Sequence, residues 1–132
     1  MNTALIYYTA HKTGYCEASL RGSTEPLGVN ICKVYASVTA KKLGENINTC
    51  LNEYKVLFIV GDISRSDGAG LMTVLSRGFG EKEVVCRQIK AENSRGYLME
   101  LEGKVIVILP DAPEKISTLV SAGLIEYLKT ES

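Results

Sequence analysis

The sequence predicts an α/β fold: a three-layer α/β/α sandwich around a mixed, mostly parallel sheet. Three observations carry this. Residues 56–60 (VLFIV) and 104–109 (KVIVIL) are unbroken apolar runs of strand length, the pattern of strands buried on both faces. Each run ends in a polar turn and then an amphipathic stretch, as a parallel strand followed by a helix does. Between the apolar run at 97–101 and the one at 104–109 stands Glu102-Gly103, a hairpin signal that adds antiparallel pairing to the sheet.

In chain order, residues 3–9 (TALIYYT) have strand-like density of aliphatic and aromatic side chains. Residues 10–28 contain Gly14, Gly22, Pro26 and Gly28 and are expected to be mostly loop, with one or two helical turns at 16–20. Residues 29–36 form a second strand, with Val29, Ile31 and Tyr35 on one side. Ser37 or Thr39 caps a helix reaching about Glu53, whose apolar stripe is Leu43, Ile47, Cys50, Leu51 and Tyr54. After the 56–60 strand and its loop, 71–77 is a short helix with Leu71, Met72, Val74 and Leu75 inward, ended by Gly78-Phe79-Gly80. A strand at 84–89, a turn at 93–96 and a strand at 97–101 lead into the hairpin. Pro110 ends KVIVIL. Asp111 can then cap one last helix, with Pro113 in its first turn and Glu114 completing a capping box. Ile116, Leu119, Val120, Leu124, Tyr127 and Leu128 line the inner face of that helix.

The chain of 132 residues reads as one domain, 1–132, without repeats or linkers. Fifteen acidic and fifteen basic residues cancel, which removes any global electrostatic case for nucleic acid or an anionic membrane. No basic leader and no apolar run of membrane-spanning length is present, so a cytoplasmic protein is expected. Cys16, Cys32, Cys50 and Cys86 are widely spaced and accompanied by a single histidine, His11. That excludes a zinc pattern, and buried reduced thiols are expected.

The chemistry-bearing residues fall in two loops that follow the central strands, 61–70 and 110–113. If the two strands are neighbours, both loops open on one sheet edge and lead into helix starts, a geometry of backbone donors suited to an anion. Gly61, Ser64, Ser66 and Gly68 would shape the first loop, and Arg65 would add a charge-assisted contact to a phosphate. Pro110, Asp111, Ala112 and Pro113 make the second. Asp62 and Asp67 are the candidate catalytic carboxylates, with turn shaping as their plainer role. No residues are assigned as metal ligands. Neither a dinucleotide nor a P-loop glycine pattern occurs, and His11 has no triad partner. The segment TAHKTG, residues 9–14, bears a faint likeness to a flavin phosphate loop, which leaves a flavodoxin-like FMN binder as a further reading.

Residues 94–113, SRGYLMELEGKVIVILPDAP, resemble the C-terminal signature of the molybdopterin-binding domain family of molybdenum cofactor biosynthesis. There a Ser-Arg pair precedes a hairpin, an apolar strand and a Leu-Pro-Gly-x-Pro helix start. FIVGD, residues 58–62, sits where that family has a strand ending in Thr-Gly-Gly, and Gly78-Phe79-Gly80-Glu81 resembles its Gly-Phe-Gly-Glu segment. The resemblance spans residues 30–129 or so. It implies the sandwich fold, a small anionic ligand (molybdopterin, with ATP and Mg²⁺ if adenylyl transfer is retained), and Ser94 and Arg95 among the ligand contacts. It also implies a homo-oligomer, commonly a trimer. The departures point the other way. Only Gly61 of the glycine loop matches, and Asp62 and Asp111 replace glycines that approach phosphate. An acidic residue before the next helix gives way to 68–70, so Asp67 substitutes only in a shifted loop. The long helix expected after the first strand is shortened or missing. These departures define the alternative: a non-catalytic oligomeric or regulatory relative that has lost the phosphate site.

Overall fold

The computed structural model describes residues 1–63, 70–80 and 82–131. Among these, six strands form one sheet: β1 (Asn2–Tyr8), β2 (Asn30–Ser37), β3 (Val56–Gly61), β4 (Val85–Ala91), β5 (Ser94–Leu101) and β6 (Lys104–Pro110), in the order β2-β1-β3-β6-β5-β4. The β2, β1, β3 and β6 strands run parallel, while β5 and β4 are antiparallel additions. The sheet is mixed and mostly parallel, as the apolar runs and the hairpin predict.

The helices α1 (Thr13–Thr24), α4 (Pro113–Leu119) and α5 (Ala122–Glu131) cover one face. The other carries α2 (Ala40–Glu53) and α3 (Leu71–Phe79). Alternation along β3 divides the core accordingly. Val56, Phe58 and Val60 point to the first face, and Leu57 and Ile59 to the second, all five fully or almost fully buried. The three-layer sandwich follows from strands apolar on both sides.

The structure corrects the reading of residues 10–28. A twelve-residue helix, α1, follows β1, and a 3₁₀ turn at Glu25–Leu27 ends at Gly28, whose φ is +84°. The glycines mislead because they face solvent: a Cβ at Gly14 or Gly22 would meet nothing within 4 Å. Each weakens the helix by only about 1 kcal/mol. Burial of Cys16, Leu20 and Thr24, one turn apart, outweighs that cost. So the helix expected by resemblance is present.

The last helix is corrected too. It is two helices, because Val120 leaves the helical conformation (φ −85°, ψ 80°) and Ser121 starts α5 by accepting the Leu124 N–H on its Oγ at 3.2 Å. The turn expected at 93–96 lies instead at Glu92-Asn93, with Glu92 at φ +53°, and Ser94–Leu101 is all strand. Of the thiols, all free, Cys16 and Cys50 are buried, whereas Cys32 and Cys86 are exposed on the two edge strands. Their apolar neighbours have no sheet partner beyond the edge.

Thr39 caps α2 as expected, accepting the Lys42 N–H at 3.2 Å, and the stripe of Leu43, Ile47 and Cys50 is buried. Gly44 sits in the exposed middle of this helix with nothing within 4 Å of its missing Cβ. Gly44→Ala is expected to raise stability by about 0.5–1 kcal/mol, read as a higher urea midpoint at unchanged slope.

Candidate functional site

The strands expected to be neighbours are neighbours. Tyr8 of β1 pairs with Gly61 of β3, and Gly61 with Pro110 of β6, so the three following loops leave the sheet at one level. They border an open cleft of about 1090 Å³ at the carboxyl edge of the parallel strands. This is the edge at which open α/β sheets take ligands. Of the two loops singled out in the sequence, Asp62, Pro110, Asp111 and Ala112 line the cleft. Ser94 and Arg95 join them from the start of β5.

Two residues are placed elsewhere. Gly61 lies buried beneath the cleft: a Cβ there would stand 2.9 Å from the Tyr8 carbonyl oxygen and 3.0 Å from Leu71 Cδ2. The close approach that demands glycine is therefore between chain segments. Pro113 faces α1, its carbonyl accepting the Ser19 hydroxyl at 2.7 Å. Ser64, Arg65, Ser66, Asp67 and Gly68 lie outside the described residues.

Asp111 is the largest departure from expectation. It does not cap α4, which begins at Ala112 with no side-chain cap, so the capping box with Glu114 is not formed. Its carboxylate crosses to the start of α1 instead. Oδ2 accepts the His11 N–H at 2.7 Å, Oδ1 accepts the Lys12 N–H at 3.2 Å, and the Cys16 thiol lies 3.5 Å from Oδ1. The carboxylate supplies an acceptor at the start of α1 where the capping position, Lys12, has no side-chain oxygen to offer. Burial, and then the Asp111 carboxylate beside it, push the Cys16 thiol up to about 12. It stays protonated and donates; it is not a nucleophile.

The cleft is lined by charges of both signs: the acids Asp62, Glu92 and Asp111, and the cations Lys90, Arg95 and Lys115. The two-residue turn at Glu92-Asn93 places Lys90 of β4 directly opposite Arg95 of β5. Both are exposed and both line the cleft, as does Lys115 of α4. No ion pair joins any of the three to an acid among the described residues; the ion pairs found lie elsewhere, at Arg21 and Lys33. Like charges directly opposite on a sheet cost about 0.2–1 kcal/mol, a cost removed by an anion between them. Sequence reasoning missed Lys90, Lys115 and His11. The signal for Lys90 was available, since a turn at Glu92-Asn93 makes residues summing to 185 face each other, but the turn was expected at 93–96, its centre two residues later.

Known proteins with this architecture accord with the sandwich. The fold is similar to that of the protein CinA, of unknown function, from Thermoplasma acidophilum, with a TM-score of 0.69 at 13% identity over 98% of this chain and 96% of that one. It is similar too to the molybdopterin biosynthesis protein moea from Pyrococcus horikosii, with a TM-score of 0.61 at 16% identity, covering 99% of this chain but 36% of that one. The chain thus has the fold of part of a molybdopterin biosynthesis protein. No family model and no curated protein sequence matches it.

Proposed function

We propose that this chain is a divergent molybdopterin-binding-type domain that takes an anionic pterin or nucleotide in the cleft at the carboxyl edge of β1, β3 and β6. The observation that carries the reading is the set of three exposed cations, Lys90, Arg95 and Lys115, that line that cleft without an ion pair among the described residues. Guanidinium and ammonium donors hold a phosphate or other oxyanion by charge-assisted hydrogen bonds worth about 1.5–3 kcal/mol each. The pterin or base would lie toward Thr9, Asp62 and Ala112. Assembly as a homo-oligomer belongs to the same reading.

Retained adenylyl transfer, with ATP and Mg²⁺, is the narrower form of the proposal. No three His, Cys, Asp or Glu side chains converge to hold a metal ion among the described residues. Asp62 is then the one described candidate to position Mg²⁺ carried in with ATP, and Asp67 the other candidate by sequence. The non-catalytic relative is favoured by a specific feature: Asp111 is committed to α1 and adds negative charge where the family has glycine.

Calorimetric titration with molybdopterin, ATP and ATP–Mg²⁺ tests the proposal. The chain is expected to bind at least one of them, more weakly as salt rises. The double replacement Lys90→Gln, Arg95→Gln is expected to weaken that binding about 10- to 100-fold while leaving the fold intact. No heat with any of the three would end the ligand claim.

A further inference from the structure

We propose that Asp111 is a built-in anion that closes the start of α1 to external oxyanions. The anion seat that the cleft keeps open is then the one at Lys90 and Arg95. For the second seat the inference rests on the reading above; for the first it stands alone.

The Asp111 contacts have the form of a bound oxyanion. Two oxygens of one negatively charged group receive two successive backbone N–H groups, those of His11 and Lys12, the residues that lead into a twelve-residue helix. A third donor, the Cys16 thiol, approaches the same carboxylate from inside the core. The group filling this place comes from residue 111, a hundred positions along the chain from His11. His11 and Asp111 themselves line the cleft, so the occupied seat belongs to its wall.

A phosphate arriving there would meet both competition and repulsion. The tethered carboxylate acts at an effective concentration on the order of mM or above, because the β6 strand already holds its loop in place. Its charge opposes a second anion at the same donors. Lys90 and Arg95 on β4 and β5, with Lys115 of α4, are where the cleft offers positive charge, and none of the three is in an ion pair with an acid among the described residues, Glu92 of the same cleft included.

The test is a nuclear magnetic resonance titration of the ¹⁵N-labelled chain with inorganic phosphate, then pyrophosphate, at constant ionic strength. It reads the His11 and Lys12 amides for one seat and the Lys90 and Arg95 amides for the other. In the unmodified chain, the expected result is saturable movement at Lys90 and Arg95, none at His11 and Lys12, and similar affinity for the two anions. In Asp111→Ala, the His11 and Lys12 amides should move as well, and pyrophosphate affinity should rise at least tenfold. Asp111→Asn, which keeps one acceptor and removes the charge, gives the same reading with a smaller gain should the alanine variant fail to fold.

Saturable movement of the His11 and Lys12 amides in the unmodified chain overturns the inference. So does their immobility in a folded variant. Stillness of the Lys90 and Arg95 amides throughout would instead remove the clamp reading, and His11 and Lys12 would still decide the role of Asp111.

Discussion

Phe58→Ala is expected to lower the free energy of unfolding by about 3–5 kcal/mol, the range for truncating a fully buried aromatic side chain. Phe58 stands in the middle of β3, between Leu5 of β1 and Val107 of β6, with no exposed surface. Its ring belongs to the core that joins the sheet to Cys16 and Leu20 of α1 and to Ile116 and Leu119 of α4. The cost has two parts: the transfer of the lost ring atoms, and a cavity that four parallel hydrogen-bonded strands have little freedom to close. Urea denaturation followed by circular dichroism measures it. A loss under 1 kcal/mol at unchanged slope would mean that the first face of the sheet is packed differently. The same variant should loosen the cleft, because α1 and α4 carry the loops that Asp111 ties together.

Gly96→Ala should cost about 1–3 kcal/mol or more, although alanine is the smallest possible addition. A Cβ at Gly96 would stand 2.6 Å from the Ile108 carbonyl oxygen of β6, well inside contact distance, with Leu109 and Leu119 side chains at 3.6 Å. Backbone cannot swing aside as a flexible side chain can, so β5 must move away from β6. That movement displaces Arg95, the adjacent residue, from its register opposite Lys90. Loss of stability and loss of anion binding should therefore appear together in this variant. Gly78→Ala is the control: its Cβ meets nothing within 4 Å, and no destabilisation is expected. If the two variants unfold at the same urea concentration, the close approach of β5 and β6 is wrong.

Residues that act within their own segment were legible. The VLFIV and KVIVIL runs need only continuity to be read as buried strands, and both are central and parallel to each other. Thr39 caps a helix three residues away, and Glu102-Gly103 closes the tight turn, with Leu101 facing Lys104. The pairing of Gly61 with Pro110, which puts two of the named loops on one edge, followed from the strands being neighbours. Hence Asp62, Pro110, Asp111 and Ala112 share one cleft as that adjacency implies, and Ser94 and Arg95, which only the family resemblance pointed to, line it with them.

The misread elements share a cause: each is decided by partners far away in sequence. A helix interrupted by Gly14 and Gly22 survives because the sheet buries its Cys16–Leu20 face. The final apolar periodicity runs through Val120 without a break, yet the chain bends there, with Val120 itself buried and Ser121 free to cap a second helix. A shift of two residues in the centre of a turn separates an Arg95 inside the turn from a Lys90–Arg95 pair.

By itself the sequence determined the fold class, the central strands and the edge at which the loops gather. Apolar continuity and turn chemistry are local properties, and they survive any choice of partner. Only the tertiary structure decided what Asp111 does. Next to Ala112 and Pro113 a carboxylate reads as the cap of the helix it precedes, but its oxygens accept the N–H groups of His11 and Lys12, the two residues that lead into α1. Unsatisfied donors at a helix start must find an oxygen, and the one that reaches them comes from the far end of the chain.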